Sequence, residues 1–232
     1  MHAVDNGKVS ILVLLDFSAT FDTVDHNILL SVLYDQFSPE DTAYDWFHSY
    51  LTDRHQSFVH NDQQTTFFPL DCSVLQGSVL GLIEFIAYTE DSSDVVINHG
   101  TNQHAYANDN QLYTSCLPSD VALACQRLSE CTADFLMWCA KRRLQLNVSK
   151  TKALLVGSKY NLAKLASEDV CLTIGMETIQ PSDVVRDFTD LGVWLDSELS
   201  LKQHVIKTAR NCYCVKCVDV PVVKLPRVWS LH

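Results

Sequence analysis

The chain has 232 residues, 47% of them hydrophobic, which is enough to bury the core of one large domain or two small ones. The sequence has no apolar run of about 18 residues and no secretory leader, which argues against a membrane or secreted protein and predicts an intracellular protein with reduced cysteines. Residues 1–120 hold 17 acidic and 2 basic side chains, so this half is a poor surface for nucleic acid and either a cation site or a solvated face.

The first predicted strand covers residues 8–15, KVSILVLL, whose continuous apolar run is typical of a strand buried on both faces. Its polar C-terminal tip is Asp16. A helix is predicted over residues 25–37. Ser38, with a proline and two acidic residues after it, then predicts the N-cap of a second helix whose apolar positions continue to Leu51.

Strands and helices alternate in the middle of the chain. The predicted elements are strands over 54–60 and 66–74, a helix over 77–89, strands over 103–107 and 110–115, and a helix over 120–142. Asn108 and Asp109 tolerate positive φ better than most residues, so they predict a tight hairpin turn between two of the strands. Cys125, Cys131 and Cys139 lie in the long helix and are predicted to be small core residues.

The last part of the chain is predicted to be richer in strands. The elements are strands over 152–156, 170–174, 177–180 and 184–195, and an amphipathic helix over 198–210. Residues 211–232 have no clear period and predict an irregular tail. Cys212, Cys214 and Cys217 have the spacing C-x-C-x-x-C, which fits either metal ligands or ordinary reduced thiols, since no second pair lies at zinc-site spacing.

Three segments combine acidic, glycine and aromatic residues in an order that is recognisable. LDFSATFDTVDH, LQGSVLG and YANDNQLY resemble motifs A, B and C of reverse transcriptases from non-LTR (LINE-type) retrotransposons. Three more segments match the family in the same order: DWFHSYLTDR, LQLNVSKTKALLVGS and LGVWLDSELSLKQH. The resemblance covers about residues 8–210.

The resemblance implies an α/β (α+β) fold, a polymerase palm-like antiparallel sheet with helices on one face. The palm core would occupy residues 8–158, a palm-to-thumb segment with a final helix residues 159–210, and the tail residues 211–232. Most of the fingers would be missing and the thumb would be partial, so the basic residues that hold the nucleotide triphosphate in the family would be absent or supplied by another chain.

The activity implied by the resemblance is RNA-directed DNA polymerase, which copies an RNA template from a DNA primer by two-metal nucleotidyl transfer. The catalytic positions would be Asp16, Asn108 and Asp109, with Asp16 and Asp109 as ligands of two Mg²⁺ ions. Without the other motifs, Asp16 fits a helix N-cap or the polar end of a strand better than it fits a metal ligand.

Five further residues match positions that contact substrate in the family. Phe21 matches the aromatic gate below the sugar, and Gln76 and Gly77 would lie against the incoming nucleotide. Tyr106 would pack near the primer end, and Lys150 would reach toward the nucleotide phosphates. From the residues alone, Phe21 is equally a core aromatic, Gly77 a helix start and Lys150 a solvated lysine.

The sequence also departs from the family. Asn108 stands where the first aspartate of motif C is expected, which lowers the formal charge of the three-residue site from −3 to −2. Leu75 and Leu82 replace prolines, and Glu84 puts a charge into an apolar helix. These changes predict weak or absent polymerase activity; the alternative is a non-catalytic retroelement remnant that binds nucleic acid or protein. Basic residues between 202 and 227 fit either a nucleic-acid contact or a solvated face.

Overall fold

The computed structural model describes residues 2–39, 41–61, 63–165, 170–181, 189–190 and 193–215. Within these ranges the strands are β1 (Val9–Leu15), β2 (Phe17–Ser18), β3 (His55–Gln56), β4 (Val59–His60), β5 (Gln63–Gln64), β6 (Phe68–Pro69), β7 (Asn102–Tyr106), β8 (Asp109–Cys116), β9 (Gln145–Leu146), β10 (Lys152–Val156), β11 (Leu172–Ile174), β12 (Glu177–Ile179), β13 (Thr189–Asp190) and β14 (Val193–Trp194). The α-helices are α1 (His2–Asp5), α2 (His26–Val32), α3 (Asp41–Leu51), α4 (Val79–Thr89), α5 (Ser92–Asn98), α6 (Val121–Lys141), α7 (Lys159–Leu162) and α8 (Lys202–Val215).

The central sheet has four strands in the order β10-β1-β8-β7. Every neighbouring pair is antiparallel, with Leu12 of β1 opposite both Leu154 and Tyr113. The antiparallel sheet predicted from the sequence is therefore confirmed. β8 is the neighbour of β1 and runs antiparallel to it, so the C-terminal end of β1 lies beside the turn that joins β7 to β8.

The two faces of the sheet differ in burial. Val9, Ile11 and Val13 of β1 are fully buried on the face that contacts α6, as expected for alternating side chains of a strand. On the other face, Leu12 and Leu14 are only partly buried. The prediction that β1 is buried on both faces was therefore wrong for the second face.

The second face has a small apolar cluster of its own. Leu154 and Val156 of β10 are buried there, and Val4 of α1 packs against them together with Leu195 and Leu199. A helix and a loop segment therefore cover part of this face, so the prediction of helices on one face only needs that correction. The part of this face nearest the β7–β8 turn carries polar side chains, because it holds the alternate residues Asp109 and Gln111 of β8.

α6 is the longest described helix and lies against the sheet. The residues predicted to share its apolar face are all buried: Val121, Ala124, Cys125, Leu128, Phe135, Trp138 and Cys139. Burial raises the pKa of the Cys125 and Cys131 thiols to about 11 and that of Cys139 to about 12. The three thiols stay protonated at neutral pH, which fits the predicted role as core residues.

Several element boundaries differ from those predicted. Ser38 does not begin α3; it ends the preceding helical turn in the left-handed conformation, at φ +42°. α5 was not predicted. The strand predicted over 184–195 is not one continuous strand, because Thr189–Asp190 pairs antiparallel with Val193–Trp194. Residues 182–188 and 191–192 lie outside the described residues.

The end of the described chain is helical further than predicted. α8 runs to Val215, so the predicted tail does not begin at residue 211. Of the cysteine triplet, Cys212 is exposed in this helix, whereas Cys217 lies outside the described residues. In the described part of the chain, no helix combines the length and the apolar character that crossing a bilayer requires.

Candidate active site

The register of the central sheet brings two acidic residues to the same end of two neighbouring strands. Leu15 of β1 lies opposite Asn110 of β8. Asp16 directly follows Leu15 and Asp109 directly precedes Asn110, so both acidic residues lie at this end of the two neighbouring strands. Carboxylates at the same end of neighbouring strands are placed where they could share one cation.

The β7–β8 turn adds two more of the predicted residues to this end of the sheet. Tyr106 pairs with Asp109 across the turn and is exposed. The two residues between them are Ala107 and Asn108, and the positive φ of +53° belongs to Ala107. The turn therefore begins one residue earlier than predicted from Asn108-Asp109. Asn108 still lies beside Asp109, with its neutral amide where the family motif has an acid.

The carboxylate of Asp16 is only partly satisfied by its surroundings. Its Oδ2 atom is buried and has no hydrogen-bond partner, and the Nζ atom of Lys150 lies 3.6 Å from it. The main-chain carbonyl of Asp16 accepts a hydrogen bond of 2.7 Å from the N–H of Asn147, which fixes the strand end. Two of the predicted site residues, Asp16 and Lys150, are thus in direct electrostatic contact.

A divalent ion fits this donor set only in part. Carboxylate oxygens are the hard anionic donors that Mg²⁺ prefers, and the unpartnered Oδ2 atom of Asp16 is available as one of them. However, the described residues contain no group of three His, Cys, Asp or Glu side chains placed to hold a metal ion. The pair Asp16 and Asp109 is therefore the whole anionic contribution that these strands make.

The loop that precedes α4 lies next to the segment after Asp16. The N–H of Val74 donates a 2.9 Å hydrogen bond to the carbonyl of Phe21, and the Phe21 ring packs on Phe85 with the ring centroids 5.1 Å apart. Gln76 and Gly77 follow in an exposed part of the loop, where Gly77 has a φ of +85°. The structure thus brings motif B beside motif A, and Phe21 contacts the core while remaining partly exposed.

Backbone contacts hold this loop against the first turn of α4. Ser78 caps the helix by accepting a 2.9 Å hydrogen bond from the N–H of Gly81, and its hydroxyl donates to the carbonyl of Leu75 at 2.8 Å. A Cβ atom at Gly81 would lie 2.2 Å from the same carbonyl oxygen. Only glycine at position 81 lets the loop fold this tightly on the helix.

Glu84 is buried one turn further along α4. It is the charged residue that the sequence places in this otherwise apolar helix. It is 2% exposed, and neither carboxylate oxygen has a hydrogen-bond partner. Desolvation raises the pKa of Glu84, partly offset by the charges of Arg54 and His26. An uncompensated buried carboxyl group is costly, so this residue opposes folding at neutral pH.

A set of polar contacts made by Asp25 and His26 was not predicted. Asp25 caps α2 by accepting a 3.0 Å hydrogen bond from the N–H of Ile28 and also binds Arg143 at 2.5 Å. His26 donates from Nε2 to the carbonyl of Ser73 at 2.8 Å. Asp25 was recognisable in sequence only as the start of a helix; its partner Arg143 is distant in the chain and no sequence pattern points to it.

A groove of about 260 Å³ lies between α4 and the β7–β8 hairpin. Its wall is formed by Leu82 and Ile86 of α4 and by Tyr106 and Ala107 at the turn.

Comparison with known proteins agrees with this geometry. The family described as "Reverse transcriptase (RNA-dependent DNA polymerase)" matches residues 1–195. A relative from Drosophila melanogaster, the "Probable RNA-directed DNA polymerase from transposon BS", is 26% identical over 225 residues, which cover 92% of this chain and 23% of the relative. The chain thus spans about a quarter of the length of that retrotransposon protein.

Solved structures of telomerase from Candida tropicalis are similar in fold. An apo telomerase truncated from its C-terminal domain superposes with a TM-score of 0.52 at 14% identity, covering 74% of this chain and 34% of the telomerase chain. A telomerase in complex with a fragment of telomeric RNA superposes with a TM-score of 0.51 at 11% identity, covering 90% and 34%. These likenesses show a polymerase palm-like fold.

The motifs, the fold and the match over most of the chain agree. Motif A begins where a strand of the central sheet ends, motif C forms the adjacent hairpin, and motif B leads into α4. The chain belongs to the reverse transcriptase (RNA-dependent DNA polymerase) family.

Proposed function

We propose that this chain is the palm of a LINE-type reverse transcriptase whose metal site is depleted of charge, so that it extends primers weakly or not at all. The observation that carries the proposal is the register of β1 and β8, in which Leu15 lies opposite Asn110, so that Asp16 and Asp109 lie at the same end of these strands beside the neutral Asn108. The palm would cover residues 8–158 and the palm-to-thumb segment residues 159–210. The chain spans only part of its relative, so the proposal concerns the palm and not the activity of that longer protein.

Asp16 and Asp109 are the residues that would hold two Mg²⁺ ions. In two-metal phosphoryl transfer, the bound ions activate the primer 3′-hydroxyl and stabilise the departing pyrophosphate. The protein's share is to keep the two carboxylates convergent. Main-chain hydrogen bonds hold the strand end at Asp16 and the hairpin at Asp109, and this would keep the two carboxylates near each other.

The other proposed contacts would surround this pair. Tyr106, exposed at the turn before Asp109, would pack against the primer end. The ammonium group of Lys150, which lies 3.6 Å from Asp16, would meet nucleotide phosphates. Phe21 would gate the sugar from the partly exposed edge of its ring. Gln76 and Gly77 would lie against the nucleotide, with Gly77 allowing close approach of the backbone.

Asn108 is the reason to expect low activity. An amide oxygen can coordinate a cation but carries no formal charge, so the site has a charge of −2 where the family has −3. Phosphoryl transfer depends mainly on electrostatic stabilisation of the transition state, so losing this charge lowers the rate by several orders of magnitude.

Primer extension on an RNA template tests the proposal. The unaltered chain, the Asn108→Asp variant and the Asp16→Asn variant are compared with Mg²⁺ and deoxynucleotides present. We expect at most trace extension by the unaltered chain and a gain of roughly 100-fold or more with Asn108→Asp. A variant that carries both Asn108→Asp and Asp16→Asn should give no extension. Equal extension by the unaltered chain and Asn108→Asp would overturn the proposal.

A second candidate function is a non-catalytic binding module, favoured by the same neutral Asn108. Its nucleic-acid contact would be α8, where Lys202, Lys207 and Arg210 lie on an exposed helix. Fluorescence anisotropy with a labelled RNA–DNA hybrid separates the two functions. Binding that persists while Asn108→Asp remains inert in extension would favour the module and reject the polymerase.

A further inference from the structure

The short turn that carries Lys150 is fastened to the strand end that carries Asp16. Asn147 begins this turn: its N–H donates to the carbonyl of Asp16 at 2.7 Å, and its side-chain oxygen accepts from the N–H of Lys150 at 3.3 Å. Thr151 closes the turn with a 3.0 Å hydrogen bond to the carbonyl of Asn147. Phe17, the next residue after Asp16, pairs with Leu146 of β9.

These contacts fix where the Lys150 side chain starts, on the same side as the Asp16 carboxylate. The ammonium group lies 3.6 Å from Oδ2 of Asp16, the oxygen that is buried and lacks a hydrogen-bond partner. The Lys150 side chain is 69% exposed. A long exposed side chain of this kind can leave the contact by rotation, since no packing holds it in place.

We propose that Lys150 is an internal counter-ion for Asp16 that competes with divalent cations for the same carboxylate oxygen. In the metal-free protein the ammonium group lies against Asp16; a divalent ion binds when the lysine side chain has moved toward solvent. This inference rests on the proposed metal site at Asp16 and Asp109, and deepens it by naming a residue that sets the metal affinity.

The sign of the effect follows from the charges. The site is one negative charge short because of Asn108, and the nearby ammonium group cancels part of what is left. Removing the Lys150 charge should therefore strengthen binding of a free divalent ion. Since the pair is partly exposed and screened, the gain is modest, about three- to tenfold in affinity.

Mn²⁺ binding followed by electron paramagnetic resonance of the free ion measures this directly, without any enzymatic step. The variants are Lys150→Met and Lys150→Gln, which remove the charge in two ways in case one of them folds poorly. Lys164→Met is the matched control, because it removes the same charge from a lysine whose ammonium lies over the Tyr160 ring. Asp16→Asn defines which part of the binding belongs to the site.

We expect both Lys150 variants to bind Mn²⁺ more tightly, Lys164→Met to bind as the unaltered chain does, and the gain to vanish when Asp16→Asn is combined with Lys150→Met. Mn²⁺ binding that depends on Asp16 but is unchanged or weaker in both Lys150 variants would overturn the inference alone. If Asp16→Asn leaves Mn²⁺ binding unchanged in every variant, the proposed metal site is overturned, and the inference with it.

Discussion

The guanidinium group of Arg143 donates a 2.5 Å hydrogen bond to the carboxylate of Asp25, a residue 118 positions earlier in the chain. Arg143 closely follows the C-terminal end of α6, and Asp25 caps α2, which comes directly after motif A. The ion pair therefore ties the end of the longest described helix to the segment that leads away from Asp16. The side chain of Asp25 is only 8% exposed, whereas that of Arg143 is 70% exposed.

Replacing Arg143 by Met is expected to destabilise the fold. The change leaves the buried carboxylate of Asp25 with its capping hydrogen bond but without its countercharge. Loss of a fully buried pair costs about 3–5 kcal/mol, and the exposure of Arg143 reduces this to roughly 1–2 kcal/mol. Urea unfolding measures the difference, with Lys141→Met in the last turn of α6 as the control. A change within about 0.5 kcal/mol of the control would contradict the prediction.

Replacing Glu84 by Met is expected to stabilise the fold at neutral pH. The methionine fills a similar volume and removes a buried carboxyl group that has no hydrogen-bond partner. By analogy with other buried polar groups, the gain is about 1–2 kcal/mol at a pH of about 7.5. Chemical unfolding of both proteins at that pH gives the sign. A loss of stability would show that Glu84 has a compensating partner, for which Arg54 and His26 are the nearby candidates.

The stability difference between these two proteins should also depend on pH. Because the pKa of Glu84 is raised in the folded state, the folded protein binds this proton more tightly than the unfolded chain does. The stabilising effect of protonation is complete below the ordinary carboxyl pKa of 4.5. The unaltered protein then loses stability, relative to Glu84→Met, as the pH rises from there through the raised pKa. Unfolding curves at several pH values between about 4 and 8 measure this. A difference that stays constant over the range would contradict the raised pKa.

Replacing Gly81 by Ala is expected to displace the loop of motif B. The added Cβ atom would lie 2.2 Å from the carbonyl oxygen of Leu75, and a backbone atom cannot yield as a side chain can. Overpacking of this kind costs about 1–3 kcal/mol. Gly100→Ala is the comparison, since nothing lies within 4 Å of its added Cβ atom and only its φ of +62° is strained. Thermal unfolding should show the larger loss for Gly81→Ala; equal losses would mean that the loop yields.

The helices, the strands and the order of the motifs could be predicted from the sequence because periodicity and motif order are local properties. The apolar face of α6 and the strand that precedes Asp16 follow from spacing, and the hairpin, to within one residue, from the turn residues Asn108 and Asp109. The expectation that Asp16 and Asp109 lie at one site needed the family resemblance, since nothing in either segment shows that the two strands are neighbours.

What the sequence did not predict depends on contacts between distant segments. The pairing of Asp25 with Arg143 and the approach of Lys150 to Asp16 arise only when the sheet and α6 are assembled. α5 was missed because its seven residues are too few for a helical period to stand out. The turn was predicted one residue too late because Asn108 tolerates positive φ. The register of β7 with β8 instead gives the positive φ to Ala107.

Ala107 offers a test of whether the turn positions Asp109. Its φ of +53° lies in the left-handed region, which glycine adopts without strain and which a β-branched residue adopts at a high cost. We expect Ala107→Gly to leave stability within about 1 kcal/mol of the unaltered chain and Ala107→Val to lower it by roughly 1–3 kcal/mol. If the turn sets the position of Asp109, Ala107→Val should also weaken the part of Mn²⁺ binding that depends on Asp16, whereas Ala107→Gly should retain it. Urea unfolding and the Mn²⁺ titration together separate the two effects: a stable Ala107→Val protein with unchanged Mn²⁺ binding would show that the strand register alone, and not the turn, holds Asp109 beside Asp16.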